Sequence, residues 1–148
     1  MKKNIINCNA DPFVPEGWTV EKHEKGGQLE WNPANVELYP LCAQKSGRTG
    51  GKELLEELTG KPVLNANVLD YLYAHQWSYN IPKVEEWRTE RGGEKIIFFW
   101  GTIYRDSDGH PCVRSLYYGG GDGRWITSYR KINGKFFDNG DFAALRKN

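Results

Sequence analysis

The sequence predicts an α+β domain, and three observations predict it. The run Lys52 to Leu58 puts Leu54, Leu55 and Leu58 on one face of a helix. The run Lys95 to Tyr104 is apolar on both faces and reads as a central strand. After it come three turn signals, Asp106-Ser107-Asp108-Gly109, Gly119 to Gly123 and Asn133-Gly134, spaced as in an antiparallel meander.

Taken in order, residues 1–17 read as an irregular lead-in, with Pro12, Pro15 and Gly17 among polar residues. Trp18 to His23 and Gln28 to Trp31 alternate weakly around the turn at Gly26-Gly27 and read as short strands. Asn32-Pro33 marks a helix start, so Ala34 to Leu41 is expected as a short helix limited by Pro40. Residues 45–51 read as a flexible basic loop before the Lys52–Leu58 helix, which Gly60 and Pro62 end. A second helix is expected from about Asn65 to His75, with Val68, Leu69, Leu72 and Tyr73 as its stripe and Asn65 or Asn67 as N-cap. Residues 76–94 read as a connection with one helical turn at Val84 to Arg88. Strands are then expected over Lys95–Tyr104, Pro111–Tyr118, Arg124–Ile132 and Lys135–Asp138. The organisation is one domain over 1–148, with a mostly helical half (18–94) before antiparallel strands (95–148).

The composition narrows the function. A chain of 148 residues can bury a core without staples, and 6 Trp with 14% aromatics imply a core of a few large rings. With 20 basic and 19 acidic residues, no broad field favours nucleic acid or a membrane surface. Cys8, Cys42 and Cys112 are widely spaced with no CxxC pair, which argues against zinc and for reduced thiols. Asn7, Asn9 and Asp11 interrupt the apolar run a signal peptide needs, so a cytoplasmic chain is expected, with display at a surface only if a partner carries it there.

Catalytic signatures are absent from the sequence, and no cofactor or metal is expected. His23, His75 and His110 fall in unrelated segments, and there is neither a G-x-S-x-G elbow nor an H-E-x-x-H helix. His110 beside Cys112 reads better as a turn residue and a buried thiol than as a base and nucleophile. Asp106 and Asp108 lack the further ligands of a calcium loop and suit a turn. Gly119 to Gly123 lacks the lysine and following helix of a phosphate loop, and Lys45, Arg48 and Lys52 read as a solvated patch.

The strand from Trp125 carries the strongest functional signal. Period two puts Trp125, Thr127 and Tyr129 on one face, expected to anchor it, and Ile126, Ser128 and Arg130 on the other. Phe136 and Phe137 point opposite ways after the next turn, so one is expected to be exposed, as in a contact surface.

Trp100-Gly-Thr-Ile-Tyr-Arg-Asp-Ser-Asp-Gly, Cys112-Val-Arg-Ser-Leu-Tyr-Tyr, Gly123-Arg-Trp, Tyr129, Ile132, Phe136 and Ala143-Ala144-Leu145 together resemble the end of a group of small proteins from metagenomic and candidate-phylum microbes. In that group a framework G-R-W-x-W-x-Y-x-W-L alternates with variable positions, similar to the variable proteins of diversity-generating retroelements. Thr127 and Lys131 stand where the framework has Trp, and Phe142 where it has Pro. The resemblance covers roughly residues 96–145. It implies a C-type-lectin-like fold, two helices packed on a twisted antiparallel sheet, with a variable region over 117–142. It implies a protein ligand met by Tyr118, Ile126, Ser128, Arg130, Gly134, Phe137, Asn139 and Gly140, on a scaffold of Trp100, Trp125, Tyr129 and Ile132. Mutated adenines in Asn codons cannot yield Lys, Trp, Met, Gln or Glu, and Ile126, Ser128, Arg130, Gly134, Phe137, Asn139 and Gly140 all pass. The alternative readings are a phage- or plasmid-encoded inhibitor of one host protein, an unrecognised enzyme, and nucleic-acid binding through Arg124, Arg130, Lys131 and Lys135.

Overall fold

The computed structural model describes residues 4–41, 48–77, 95–119, 123–137 and 140–147. It is an α+β arrangement of two helices about a curled, mixed sheet.

Helix α1 (Gly51–Leu58) follows the amphipathic pattern closely: Leu54 and Leu58, one turn apart, are buried. Glu53 in its first turn suits the positive end of the helix. Gly60, at φ +84°, lies just past the helix end in a conformation that favours glycine. Helix α2 (Ala66–Ala74) is capped by Asn65, whose side-chain oxygen accepts from Asn67 N at 3.0 Å. Ala66, Val68 and Leu69 are its fully buried residues.

The main sheet is built around β8 (Pro111–Gly119). On one side it pairs along its length with β9 (Arg124–Lys131), from Cys112↔Lys131 to Gly119↔Arg124. On the other it meets first β7 (Thr102–Arg105), then β6 (Ile96–Phe98). The apolar run 95–104 is thus two strands, not the one expected. Gly101 explains the break: a Cβ there would lie 2.8 Å from Asn65 Cα, so the chain steps closely past the start of α2.

β7 carries β2 (Thr19–His23) on its outer side. β6 carries β11 (Asp141–Arg146) in parallel, and β11 in turn pairs antiparallel with β4 (Val36–Pro40). Two small ribbons complete the fold. One joins β1 (Ile5–Asn7) to β3 (Gln28–Glu30), the other β5 (Arg48–Gly50) to β10 (Lys135–Phe137).

Several expectations change. The lead-in contains β1. Ala34 to Leu41 is not a helix: Asn32 caps only a single 3-10 turn, Pro33–Asn35, and Val36 onward is extended. Pro40 suits this, because β4 is a sheet edge, where a missing N–H is tolerated. The segment 18–94 is therefore not mostly helical among its described residues. The sheet is mixed rather than antiparallel. The C-terminal meander ends at β9, since β10 leaves to pair with β5 and β11 returns to the sheet interior. Of the basic loop expected over 45–51, Arg48–Gly50 form β5 and Gly51 opens α1; its residues 45–47, with Cys42 and the turn at Val84 to Arg88, lie outside the described residues.

Alternation gives the sheet two covered faces. Ile97, Leu116 and Ala144 join Val68 and Leu69 of α2, with Leu29 and Trp31, in one apolar cluster. Phe98, Val113, Ala143 and Leu145 join Leu54 and Leu58 of α1, with Trp100, Ile132 and Phe136, in the other. Each fully buried Leu or Phe contributes about 1.5–3 kcal/mol.

Candidate functional site

β9 is an edge strand, pairing only with β8 among the described residues. Trp125 shows which way its backbone points. Its N–H donates to Gln76 Oε1 at 2.8 Å, and its carbonyl accepts from Gln76 Nε2 at 3.4 Å. Trp125 therefore turns both polar groups away from β8. Alternation turns those of Thr127 and Tyr129 the same way. The Gln76 amide makes there the pair of bonds an added strand would make.

The α2 face of β9 carries Trp125, Thr127 and Tyr129. Trp125 packs against the α2-side cluster, and its ring lies 5.4 Å from that of Tyr118, edge to face. Tyr129, expected as part of the anchored scaffold, is instead 50% exposed. Trp18 stands edge-on to it at 4.8 Å and also touches Tyr104 at 5.6 Å. Beneath lies Arg114, the cross-strand partner of Tyr129. It holds Asp70 of α2 through two bonds of 2.9 Å, and its guanidinium lies 5.4 Å from the exposed Phe13 ring. Burial is the largest influence and opposes the Arg114 charge, but the hydrogen bonds and charge of Asp70 together with Tyr104 outweigh it and raise its pKa.

The opposite face carries Ile126, Ser128 and Arg130. Ser128 is exposed and Ile126 half-buried. A Cβ on Gly119 would lie 2.6 Å from Ile126 Cδ1, so this glycine makes room for it. Arg130 departs from its expected outward role. Its guanidinium bonds the buried Asp141 at 2.5 Å and lies 4.9 Å from both the Phe98 and Phe136 rings. It is a buttress between β9 and β11, because Asp141 is buried and needs a cation.

The remaining sequence-predicted residues are divided. Gly134 lies in the turn after β9, its N–H donating to Lys131 O at 3.0 Å. The Gly140 carbonyl accepts from Ile96 N at 2.8 Å, and thus serves the sheet. The Phe137 backbone pairs with Arg48. Asn139 and residues 120–122 lie outside the described residues. Trp100 and Ile132 are buried, as a scaffold requires. Sequence reasoning missed Gln76, Asp70 and Phe13, since each reaches β8 or β9 from a distant segment with no local pattern.

The β7–β8 turn is built for its own geometry. Asp106 Oδ1 accepts from the N–H groups of Asp108 and His110 at 3.0 and 2.9 Å. The His110 backbone bond leads in holding the Asp106 pKa low. Asp106, Asp108 and His110 have ligand atoms within 4.8 Å of one another. Gly109, at φ +81°, closes the turn. Cys112 Sγ lies 3.8 Å from Asp106 Oδ2. Burial, then the Asp106 carboxylate, pushes this thiol up to about 11, the wrong direction for a nucleophile. Cys8 and Cys112 are free thiols. No described helix is long and apolar enough to cross a membrane.

Comparison with protein-family models, curated proteins and solved structures gives no match for this chain.

Proposed function

We propose that this chain is a non-enzymatic binding domain of C-type-lectin-like type that recognises a protein ligand along β9. The observation that carries the reading is the open edge of that strand. Among the described residues, Thr127 and Tyr129 present backbone groups with no strand partner, beside a half-exposed tyrosine ring. An extended segment of a partner can add there as a further strand, gaining main-chain bonds for affinity and side-chain contacts for specificity. Arg124 and Lys131 on β9 are both exposed, which favours an acidic segment.

The contacting residues in this reading are Tyr118, Thr127, Ser128 and Tyr129, with Ile126 at the margin. Ile126 and Ser128 match variable positions of retroelement-diversified proteins, and their side chains have room to change. Arg130 also matches such a position, but its partner Asp141 restricts what can replace it. The rival reading is an inhibitor of one fixed host protein using the same surface. The neighbouring DNA separates them: a reverse-transcriptase gene beside a near-copy of the gene's end, differing at adenines, marks the diversified form.

The binding claim is tested by panning a displayed random-peptide library against the immobilised chain. Acidic extended peptides are expected, and Thr127→Pro should abolish their binding. That change removes an outward N–H but no bond to β8. Val20→Ala, on the exposed edge strand β2, should leave binding intact. Peptides that bind wild type and Thr127→Pro equally would place recognition elsewhere.

A further inference from the structure

A cleft of about 680 Å³ lies three strands away from β9, where the β1–β3 ribbon, the α1–α2 connection and the end of β11 meet. Its accessible apolar lining is the exposed Pro62 and the half-buried Val63, with Cys8, Leu29 and Leu64, each at most 5% exposed, behind them. Its rim is cationic. Lys25, Lys61 and Arg146 line it beside a single carboxylate, Glu24. That carboxylate is already engaged by Lys22 at 3.3 Å.

Arg146 is fixed in place. Its backbone N–H donates to Pro62 O at 2.8 Å, and its guanidinium donates to Gly26 O at 3.1 Å. This spans the two loops that form the mouth. One Arg146 nitrogen is thereby occupied by a neutral carbonyl, while the planar fork keeps further donors and a full charge. Among the described residues no carboxylate pairs with Arg146 or Lys25. Lys61 rests its ammonium 5.0 Å from the Tyr39 ring centre. The polar floor group, Asn65, is satisfied, donating to Cys8 O and Glu24 O at 2.9 and 3.0 Å. The cleft thus offers an apolar base and unneutralised positive charge at one edge.

We propose that this cleft binds a small organic anion carrying one carboxylate on an apolar body. The carboxylate meets Arg146 and Lys25, and the body lies against Pro62 and Val63. A volume of this order holds such a molecule. Inorganic phosphate would satisfy the rim but leave the floor wet. A neutral alcohol would cover the floor but leave the cations unpaired.

The test titrates the ¹⁵N-labelled full chain with octanoate, inorganic phosphate and 1-octanol at constant ionic strength. Octanoate should give saturable amide shifts at Gly26, Val63, Leu64 and Asn65, with the other two probes much weaker. Arg146→Gln should weaken octanoate binding about tenfold or more, the scale of one charge-assisted hydrogen bond. Lys25→Gln, at an exposed loop position, should weaken it in the same direction and serves if Arg146→Gln fails to fold. Lys52→Gln, at an exposed position of α1 outside the cleft, should leave octanoate binding unchanged. Phosphate binding as tightly as octanoate would reduce the site to a charge patch and overturn the proposal. Equal binding of octanol, or no saturable shift, would overturn it too.

Discussion

At the scale of single residues, β9 separates side chains that the strand period alone treats alike. Ser128 and Arg130 share a face, yet one is solvated and the other is locked to Asp141 and lies against two phenyl rings. Removing the guanidinium takes its 2.5 Å ion-pair partner from a carboxylate that is 3% exposed. Arg130→Met is therefore expected to cost about 3 kcal/mol, as when one partner of a buried pair is lost. Ser128→Asn should stay within about 0.5 kcal/mol, the usual range for a surface change. Urea unfolding of both variants checks this, and equal midpoints would remove Arg130 from the scaffold. The alternation that placed Ile126, Ser128 and Arg130 together was legible in the sequence. The buttress was not, because Asp141 and Phe98 reach it through pairings that no local pattern announces.

At the scale of elements, what was legible follows how local each cause is. Helix α1 declares itself through Leu54 and Leu58, α2 through the Asn65 cap, and the β7–β8 hairpin through Asp106 and Gly109. Strands β4 and β11 depend on each other, over registers such as Ala144↔Leu38, and neither sequence alternates clearly. The split between β6 and β7 has the same origin. Ile96 to Trp100 is uniformly apolar, and only the approach of Asn65 dictates that the chain break at Gly101. A Cβ on Gly101 would press against Asn65 backbone, which a rotamer change cannot relieve. Gly101→Ala is thus expected to destabilise by about 1–3 kcal/mol, the usual cost of overpacking. Thermal unfolding followed by far-UV circular dichroism reads it. An unchanged midpoint would mean that the break has another cause.

At the scale of the molecule, the last strand in sequence is among the most interior in space. β11 lies between β6 and β4, and its Leu145 also bridges to Val63 ahead of α2. Ala143 and Ala144 have no exposed surface, and they face the α1-side and α2-side clusters respectively. β9, by contrast, is outermost. Remodelling β9 at Ile126 and Ser128 therefore disturbs one paired strand, whereas losing β11 opens both clusters and frees β4. The stability of a domain this size is a small difference between large terms, so the second loss is not survivable. A chain ending at residue 140 is expected to lose cooperative urea unfolding and near-UV dichroism. A chain with Ile126 and Ser128 both replaced by Ala should keep both. If the shortened chain still unfolded cooperatively, the two clusters would have to close without β11. The β9 surface would then lose its claim to be the part of the sheet most free to vary.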